Sequence, residues 1–480
     1  MSRTIKLHTV LTLAAAPLVF GVLGACGGGG GGGVSVADGG IRGTGSSVGP
    51  VSGFGSVFVN GIEFFTDDIR NRSVTSNDGV NTESDLEKGM ILRVEGVWDD
   101  DLTGTAQALN YDDTFRGPIS AVEMDAETGV QTLTILGQTV VVDRRTVMRL
   151  GAYADLAALV GQPDNVRISA WHTGDGYRAS FIGVLADLPD NWVEVEGKVS
   201  LVNGQLQVNG QSVQLSDNAQ YFNDLEPDEL VGEFVEFEGE LNGESVLAQT
   251  VRLSDDRRRV LEVEDGEAEI SGPLTAPDLV AKSFRVNGVQ VQYSDATDFE
   301  DFSVDTLSNG VLIEVEGEFR NGILLAEDVE LLEEDAEIEA TVTSDNSDAN
   351  TLIVGGVKVH INGRTLIDLE DSGVKSVYEA AALEIEGRER IDDQNQPFIE
   401  AVSIDATDAD FSPGEDNFRV RGRLDERPSI SAPNTLKVLG LVMDVSGVTF
   451  DDLTNCRFVE VEYVPTGAAQ YRATSVECDD

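Results

Sequence analysis

Val193-Glu194-Val195-Glu196-Gly197 and, just downstream, Val208-Asn209-Gly210-Gln211 are two segments whose pattern recurs along the whole chain. In the first segment apolar and acidic residues alternate, as they do in a β-strand with one buried face. In the second, Asn-Gly marks a two-residue type I′ hairpin turn, which requires a positive φ at both central residues. The two segments together predict short, half-buried strands joined by tight hairpins.

The hairpin glycine recurs at intervals of 68 to 84 residues, at Gly61, Gly137, Gly210, Gly288, Gly356 and Gly440. A short helix-like stretch follows the hairpin in several copies, for example Ala154 to Val160, Asp224 to Val231 and Val374 to Ala382, and two further alternating strands come after it. This order and length match the OB-like small barrel. The predicted fold is therefore mainly β, a tandem array of six OB-like five-stranded small barrels, each with one short helix.

The repeat divides the chain into segments that serve as names below. They are a lipoprotein signal peptide (1–25), a Gly-rich tether (26–48), and units one (49–113), two (114–190), three (191–256), four (257–335), five (336–410) and six (411–480). The units are expected to lie in a row. Such an array would give the protein reach.

The N-terminus reads as an export signal, with a basic start and an apolar stretch too short for a stable membrane span. Its end, Leu23-Gly24-Ala25-Cys26, resembles the lipobox of bacterial lipoproteins, which implies lipidation of Cys26. Gly27 after the cysteine implies delivery to the outer membrane, with the periplasmic or surface face left open. The alternative is an ordinary signal peptide beside an incidental cysteine.

A heptaglycine, Gly27 to Gly33, and the Gly- and Ser-rich stretch after it predict a flexible tether. The tether contains Gly45-Ser46-Ser47-Val48-Gly49, a formal match to the hydrolase nucleophile elbow. That motif needs a strand before the serine and a helix after it. Glycines precede this serine and Pro50 follows it, so the match is interpreted as chance.

The lipobox, the glycine-rich tether and tandem units with V-N-G and V-E-V-E-G patterns resemble a bacterial domain of unknown function found in envelope lipoproteins. The resemblance covers nearly all of Gly49 to Asp480, best in units one, three and four and weakest in two and six. It implies fold and location only, because it brings no activity and no functional residues.

The charge balance is strongly acidic, with 86 acidic against 33 basic side chains and a formal charge of -53. Nucleic acid is excluded as a partner, since its phosphates are bound by Lys and Arg. The glutamates of the alternating strands are interpreted as outward, solvated positions. The expected partners are the membrane, through the lipid anchor, and an envelope protein or glycan.

No catalytic residues, no metal site and no cofactor are predicted. The two histidines after the signal peptide, His172 and His360, fall in different units and are interpreted as solvated. The acidic loops Asp99-Asp100-Asp101, Asp345 to Asn350 and Asp392 to Asn395 lack the spacing of a twelve-residue calcium loop. Nonspecific binding of divalent cations by the negative charge is expected instead.

The candidate binding face lies on the second and third strands of unit one, where OB-like barrels usually bind ligands. Phe58, Glu63 and Phe65 point outward there, whereas unit three places Gln207 and Gln214 outward. Exposed aromatic pairs indicate contact with a ligand or partner. The alternative is that the phenylalanines pack against unit two or the Gly-rich segment.

Cys456 and Cys478 are predicted to form a disulfide in unit six. Folding the last two strands symmetrically about the loop Pro465 to Ala469 places the cysteines opposite each other. The same register places Arg457 opposite Glu477 and Glu462 opposite Arg472.

Three interpretations of function remain open at this point. The leading one is a non-catalytic, lipid-anchored envelope protein that acts as a spacer, scaffold or binding module. The second is a surface adhesin or polysaccharide-binding lipoprotein. The third is a hydrolase whose site lies between barrels, which would need a convergent pocket with perturbed carboxylates.

Overall fold

The computed structural model describes most of the chain beyond residue 44. The described residues are 45–99, 102–125, 130–143, 145–173, 176–185, 191–222, 225–253, 266–300, 304, 307–332, 336–346, 350–369, 376–378, 380, 382–392, 394, 396–406, 417–428, 434–449, 453, 456–467 and 469–479. The predicted signal peptide, Cys26 and the first part of the tether lie outside them. Among the described residues, no helix is long and apolar enough to cross a membrane.

The described residues of the first three units are mostly strands. Unit one contains β1 (Gly45–Gly53), β2 (Val57–Val59), β3 (Ile62–Phe65), β4 (Val74–Thr75), β5 (Ile91–Trp98) and β6 (Thr103–Tyr111). Unit two contains β7 (Phe115–Gly117), β8 (Ile119–Met124), β9 (Gln131–Ile135), β10 (Gln138–Val142), β11 (Val147–Arg149), β12 (Asn165–His172) and β13 (Tyr177–Leu185). Unit three contains β14 (Trp192–Val202), β15 (Gln205–Val208), β16 (Gln211–Tyr221), β17 (Phe234–Asn242) and β18 (Ser245–Leu253).

The last three units repeat the pattern. Unit four contains β19 (Gly266–Asp278), β20 (Ser283–Val286), β21 (Val289–Gln292), β22 (Asp298–Glu300), β23 (Leu312–Arg320) and β24 (Ile323–Leu331). Unit five contains β25 (Ala336–Asn346), β26 (Thr351–Val354), β27 (Val357–His360), β28 (Leu366–Asp368), β29 (Ala382–Ile391) and β30 (Pro397–Ala406). Unit six contains β31 (Phe418–Glu426), β32 (Thr435–Val438), β33 (Leu441–Asp444), β34 (Phe458–Gly467) and β35 (Gln470–Cys478).

The strand pairing closes a ring. In unit one β1 pairs with β2 and β5, β2 with β3, β3 with β6, and β6 with β5, and only the β3–β6 pair is parallel. The same ring recurs as β14-β15-β16-β18-β17, β19-β20-β21-β24-β23, β25-β26-β27-β30-β29 and β31-β32-β33-β35-β34. Tandem closed five-stranded barrels confirm the predicted fold class. The count of six and the domain boundaries stay predictions, because in unit two Pro118 splits the first strand into β7 and β8.

The hairpins and the buried faces follow the sequence pattern. Both central residues of the turns have positive φ, for example 50° and 82° at Asn60-Gly61 and 47° and 75° at Asn287-Gly288. In unit four Phe284, Val286, Val289 and Val291 are completely buried inside the barrel. The predicted type I′ turns and the inward side of these strands are therefore confirmed.

The predicted short helices are not confirmed. The helices that the described residues contain are 3-10 helices of three or four residues, Arg70–Arg72, Glu83–Asp85 and Leu156–Leu159. The described part of the stretch around Pro227 forms turns. These segments are too short to repay the cost of nucleating an α-helix, and 3-10 helices are the usual form of such short pieces.

The predicted tether ends too late, because β1 already begins at Gly45. Gly45 lies against the ring of Trp98, and Gly49 lies against the side chain of Asn60, so a Cβ atom at either position would collide. These two glycines serve close packing rather than flexibility. Ser47 of the formal nucleophile motif is buried within β1 and donates a hydrogen bond to Glu269 (2.9 Å), so no strand-turn-helix elbow forms there.

First strands also pair between barrels and extend the sheets beyond single units. The parallel pair β1–β19 joins unit one to unit four, the antiparallel pair β7–β14 joins unit two to unit three, and β25–β31 joins unit five to unit six. The expectation of units in a simple row is wrong, because unit one pairs with a unit three positions further along the chain. Apolar packing adds to this, since units two and three share one hydrophobic cluster and units five and six share another.

Candidate functional site

A buried arginine ties units one, two and three together. Arg116, on β7 of unit two, is 3% exposed. Its guanidinium group donates to Asp78 of unit one, to Asp113 (Nε–Oδ2 3.2 Å) and to Glu194 Oε2 on β14 of unit three (2.5 Å). All three carboxylates are buried. One cation therefore holds three chain segments at the contact between barrels.

Further polar groups surround this contact. Asn77 donates to Glu236 (3.0 Å) and Glu238 (3.2 Å) on β17, and Arg167 donates to Asp113 (2.8 Å). The set is called the Arg116 junction below and comprises Asp78, Asp112, Asp113, Arg116, Arg167, Glu194, Glu236, Glu238 and Arg252. Its side chains come from units one, two and three, so it exists only in the folded assembly.

Five carboxylates of the Arg116 junction have raised pKa values, namely Asp78, Asp113, Glu194, Glu236 and Glu238. Burial is the main cause, and it raises the pKa of Asp113 to about 6 although Arg167 and Arg116 oppose the shift. Burial and the charge of Asp78 raise the pKa of Glu194 well above its usual value, and burial, Asp112 and Glu238 do the same for Glu236. These buried carboxyl groups therefore keep their protons to a higher pH than exposed carboxyl groups do.

The interpretation of the strand glutamates as solvated positions is wrong for a large group of them. The buried glutamates are Glu194, Glu196, Glu236, Glu238, Glu269, Glu314 and Glu337. They do point away from their own barrel, as the alternation predicts. However, a neighbouring barrel covers that outer face. The alternation of residues along a strand shows which side chains point outward, but it does not show whether another barrel covers them.

A second junction joins units four and five through matched charges. Arg364 pairs with Glu314 (2.7 Å) and Glu330 (2.9 Å), and Arg388 pairs with Glu330 (2.8 Å) and Glu400 (3.2 Å). The Arg364 junction comprises Glu314, Glu330, Arg364, Arg388, Arg390 and Glu400. Burial raises the pKa of Glu314 to about 7, partly offset by Arg364. Burial alone would raise the pKa of Glu400, but Arg388 and Arg390 hold it below its usual value.

A cavity of about 90 Å³ borders the Arg364 junction where units one, two, four and five meet. Its lining includes Glu314, Glu400, Arg364 and Trp171, whose buried indole nitrogen has no hydrogen-bond acceptor. Both carboxylates have shifted pKa values, and a pocket with perturbed carboxylates is the condition stated above for a hydrolase site. Because arginines already bind both carboxylates, the arrangement favours a structural role over proton transfer to a substrate.

The structure brings part of the predicted binding face together. Phe58 and Glu63 lie opposite each other on β2 and β3 and are half-buried, and Glu63 accepts a hydrogen bond from Ser56 (2.9 Å). Phe65 is 46% exposed. The ring of Phe58 lies beside Gly363 of unit five, a different neighbour from unit two, which the packing alternative named. A role in binding stays a prediction for Phe58, Glu63 and Phe65.

Cys456 and Cys478 are joined by a disulfide, with their Cα atoms 5.8 Å apart. The register from which the pair was inferred is wrong, since Cys478 lies opposite Val459, Glu477 opposite Glu460 and Arg472 opposite Val464. The physical reason is the turn. Strand β34 continues through Gly467, which pairs with Gln470, so the hairpin bends later than the predicted centre of its loop.

The two histidines pack against aromatic rings instead of standing free in solvent. His172 lies edge-on to Tyr177 at 5.2 Å, and His360 lies edge-on to Phe398 at 6.3 Å. Both are half-buried, and burial lowers the pKa of His360. Parts of all three predicted acidic loops lie outside the described residues.

Sequence reasoning missed the arginines that organise both junctions. One signal was available, because basic residues are scarce in this chain and Arg116, Arg388 and Arg390 occupy strand positions that alternate with small or apolar residues or with glutamate. An arginine on the outer face of a strand in so acidic a chain indicates a buried partner carboxylate. Which carboxylate it meets depends on the packing of the barrels.

The model of a family described as "Domain of unknown function (DUF5666)" matches residues 116–183, 196–252, 271–330 and 339–395, just over half of the chain. The matches fall in units two to five, whereas the resemblance was expected to be best in units one, three and four and weakest in units two and six. No curated protein matches the chain. Among solved structures, drosophila Unr CSD456 is 14% identical, with 46% of this chain and 97% of that chain covered and a TM-score of 0.12. A TM-score this low carries no argument about fold or function.

Proposed function

The chain belongs to this family of unknown function, and we propose that it is a non-catalytic scaffold or binding module, held at the bacterial outer membrane by a lipid on Cys26. The pairing of strands between barrels carries the proposal. The pairs β1–β19, β7–β14 and β25–β31 join the first strands of different units through backbone hydrogen bonds. A flexible spacer would not need such contacts, whereas a platform that presents fixed surfaces would.

Side-chain contacts between distant units support a rigid platform. Arg149 of unit two binds Asp368 of unit five through two hydrogen bonds of 2.9 and 3.1 Å. Ser52 of unit one donates to the carbonyl of Gly363 (2.8 Å). Buried polar contacts of this kind fix one arrangement of the units, since each needs its partner in place to offset desolvation.

The membrane anchor is tested on Cys26 directly. The mature N-terminal peptide of the wild-type protein should carry a lipid on Cys26, as measured by mass spectrometry of membrane fractions. A Cys26→Ala variant should lose this mass and leave the outer-membrane fraction. A water-soluble wild-type protein with an unmodified N-terminal peptide would refute the anchor and leave the scaffold proposal standing.

Exposure of Phe65 supports a second candidate function, binding of an envelope glycan or protein through unit one. Phe65→Ala is compared with Gln214→Ala, an exposed residue on the corresponding strand of unit three. The immobilised proteins are incubated with solubilised outer-membrane proteins and, separately, with purified surface polysaccharide. Phe65→Ala should reduce retention about tenfold or more, because truncating an aromatic anchor commonly costs that much. Equal retention by both variants would exclude Phe65 as the anchor.

A further inference from the structure

We propose that the Arg116 junction holds a calcium ion between Asp112, Glu194 and Glu236. One carboxylate oxygen from each of these residues lies within 4.8 Å of the other two. Asp112 comes from the link between units one and two, whereas Glu194 and Glu236 come from paired strands of unit three. The ion would therefore join the link between units one and two to unit three, close to the place where Arg116 joins the same segments.

The spacing of the oxygens fits calcium. Calcium takes oxygen ligands at about 2.3 to 2.6 Å, so two oxygens on one ion lie at most about 5 Å apart. Magnesium binds at about 2.1 Å in a strict octahedron and keeps most of its water, which suits a buried site of three carboxylates poorly. The coordination shell of calcium is more flexible, so calcium can bind three carboxylates that come from separate segments of the chain.

A separate observation points to a cation beside Glu194. Glu194 is completely buried, and its Oε2 accepts from Arg116, but its Oε1 has no hydrogen-bond partner. A buried carboxylate oxygen left without a partner is destabilising, and native proteins rarely leave one so. A metal ion beside Oε1 would satisfy it, since Arg116 donates to the other oxygen of this carboxylate.

The charges of the junction support the same conclusion. Its carboxylates are Asp78, Asp112, Asp113, Glu194, Glu236 and Glu238, and the guanidinium groups that bind them among the described residues are those of Arg116, Arg167 and Arg252. Carboxylates outnumber arginines two to one. With all six carboxylates ionised, a divalent cation would reduce the excess of three negative charges to one.

The Arg364 junction provides a matched control within the same chain. Glu314 on β23 occupies the strand position in unit four that Glu236 occupies on β17 in unit three, since both follow an apolar pair and precede an apolar-Glu-Gly sequence. Glu314 binds Arg364, and the carboxylates and arginines of that junction are equal in number. No cation is expected there.

The experiment uses the chelator-treated full chain in about 0.3 M KCl, which screens diffuse binding to the acidic surface. Calorimetric titration with calcium chloride should give one saturable site, and calcium should raise the melting temperature by a few degrees. Asp112→Asn and Glu236→Gln should each weaken binding about tenfold or more and abolish the thermal shift. Glu314→Gln should bind calcium as the wild-type protein does.

Asp112 is only half-buried and lies outside the barrels, so the Asp112→Asn variant should fold. It therefore tests the calcium site even if Glu236→Gln fails to fold. Wild-type protein without a saturable calcium site in this salt overturns the proposal. Unchanged affinity in a folded Asp112→Asn variant also overturns it, as does an equal loss in Glu314→Gln. None of these outcomes bears on the scaffold function, which rests on the strand pairing between barrels.

Discussion

The Arg116 junction and the Arg364 junction are built on the same position of the repeat, yet they differ in charge. Glu236 and Glu314 both point outward from the fourth strand of a barrel and are both buried by neighbouring barrels. Glu314, Glu330 and Glu400 each pair with an arginine, whereas Glu236 pairs with Arg252 but lies among several other carboxylates. The neighbour that covers a face therefore decides whether a repeated glutamate becomes half of an ion pair or part of an acid-rich cluster.

Removing Arg116 should produce the largest effect. Arg116→Met leaves Asp78, Asp113 and Glu194 buried without their shared cation. Breaking a buried pair in this way costs about 3 to 5 kcal/mol of unfolding free energy. Urea unfolding followed by tryptophan fluorescence measures the loss, and a loss below about 1 kcal/mol would mean that the carboxylates of this junction are neutral in the folded protein.

Removing Arg364 should cost less, which sharpens the contrast between the junctions. In Arg364→Met the carboxylates Glu330 and Glu400 keep Arg388 and Arg390, so only Glu314 loses its main partner. The expected loss is on the order of 2 kcal/mol in the same urea assay. A loss of unfolding free energy equal to that of Arg116→Met would contradict the idea that Arg388 and Arg390 compensate for the missing arginine.

Asp405 tests what an acid-rich contact costs when the arginine near it, Arg149, pairs with a neighbouring carboxylate, Asp368. Strand pairing places Asp405 directly opposite Asp368 on one side and Glu384 on the other. Burial first, and then the charges of Asp368 and Glu384, raise the pKa of Asp405 to about 8 from its usual 3.8. The folded protein thus keeps a proton that the unfolded chain releases between about pH 4 and pH 8.

The sign of the pH dependence follows from this shift. Stability is highest below the unfolded pKa and is lost as pH rises through the folded pKa of about 8. Asp405→Asn cannot ionise, so at pH 8.5 it should be more stable than the wild-type protein by about 1.4 kcal/mol for each unit by which the folded pKa exceeds the unfolded one, and it should be equal to it at pH 4. Thermal unfolding at both pH values measures the difference. A gain that does not depend on pH would show that charge is not the cause.

An exposed ion pair should have the smallest effect and sets the baseline for the two junctions. Arg421 pairs with Asp479 near the end of unit six, where both side chains are partly in solvent. Arg421→Ala should change the unfolding free energy by less than about 0.5 kcal/mol, because water and salt screen such pairs. Urea unfolding that shows a loss near that of Arg364→Met would remove the distinction between buried and exposed pairs.

The sequence predicted the parts of the fold that depend on local rules. Asn287-Gly288 fixes a type I′ turn because both residues tolerate positive φ, and the alternation of Phe284 and Val286 fixes which side of the strand faces the core. The disulfide between the two cysteines was also predicted correctly, although the strand register used to predict it was wrong. The last hairpin turns later than predicted, because Gly467 still pairs with Gln470. Gly45 was wrongly predicted to belong to a flexible tether. The structure shows that this glycine is needed for close packing against Trp98, and the sequence does not distinguish the two roles of glycine.

What the sequence by itself determined is therefore the barrel: strand period, hairpin turns and the inner face, which arise from contacts within one unit. Only the tertiary structure decided what lies on the outer faces. Glu194 and an exposed glutamate have the same spacing along a strand, and burial of Glu194 depends on β7 of another unit pairing with its strand. Charge burial is a property of the packed units, because desolvation depends on which neighbour replaces water and on the counter-charge that the neighbour brings.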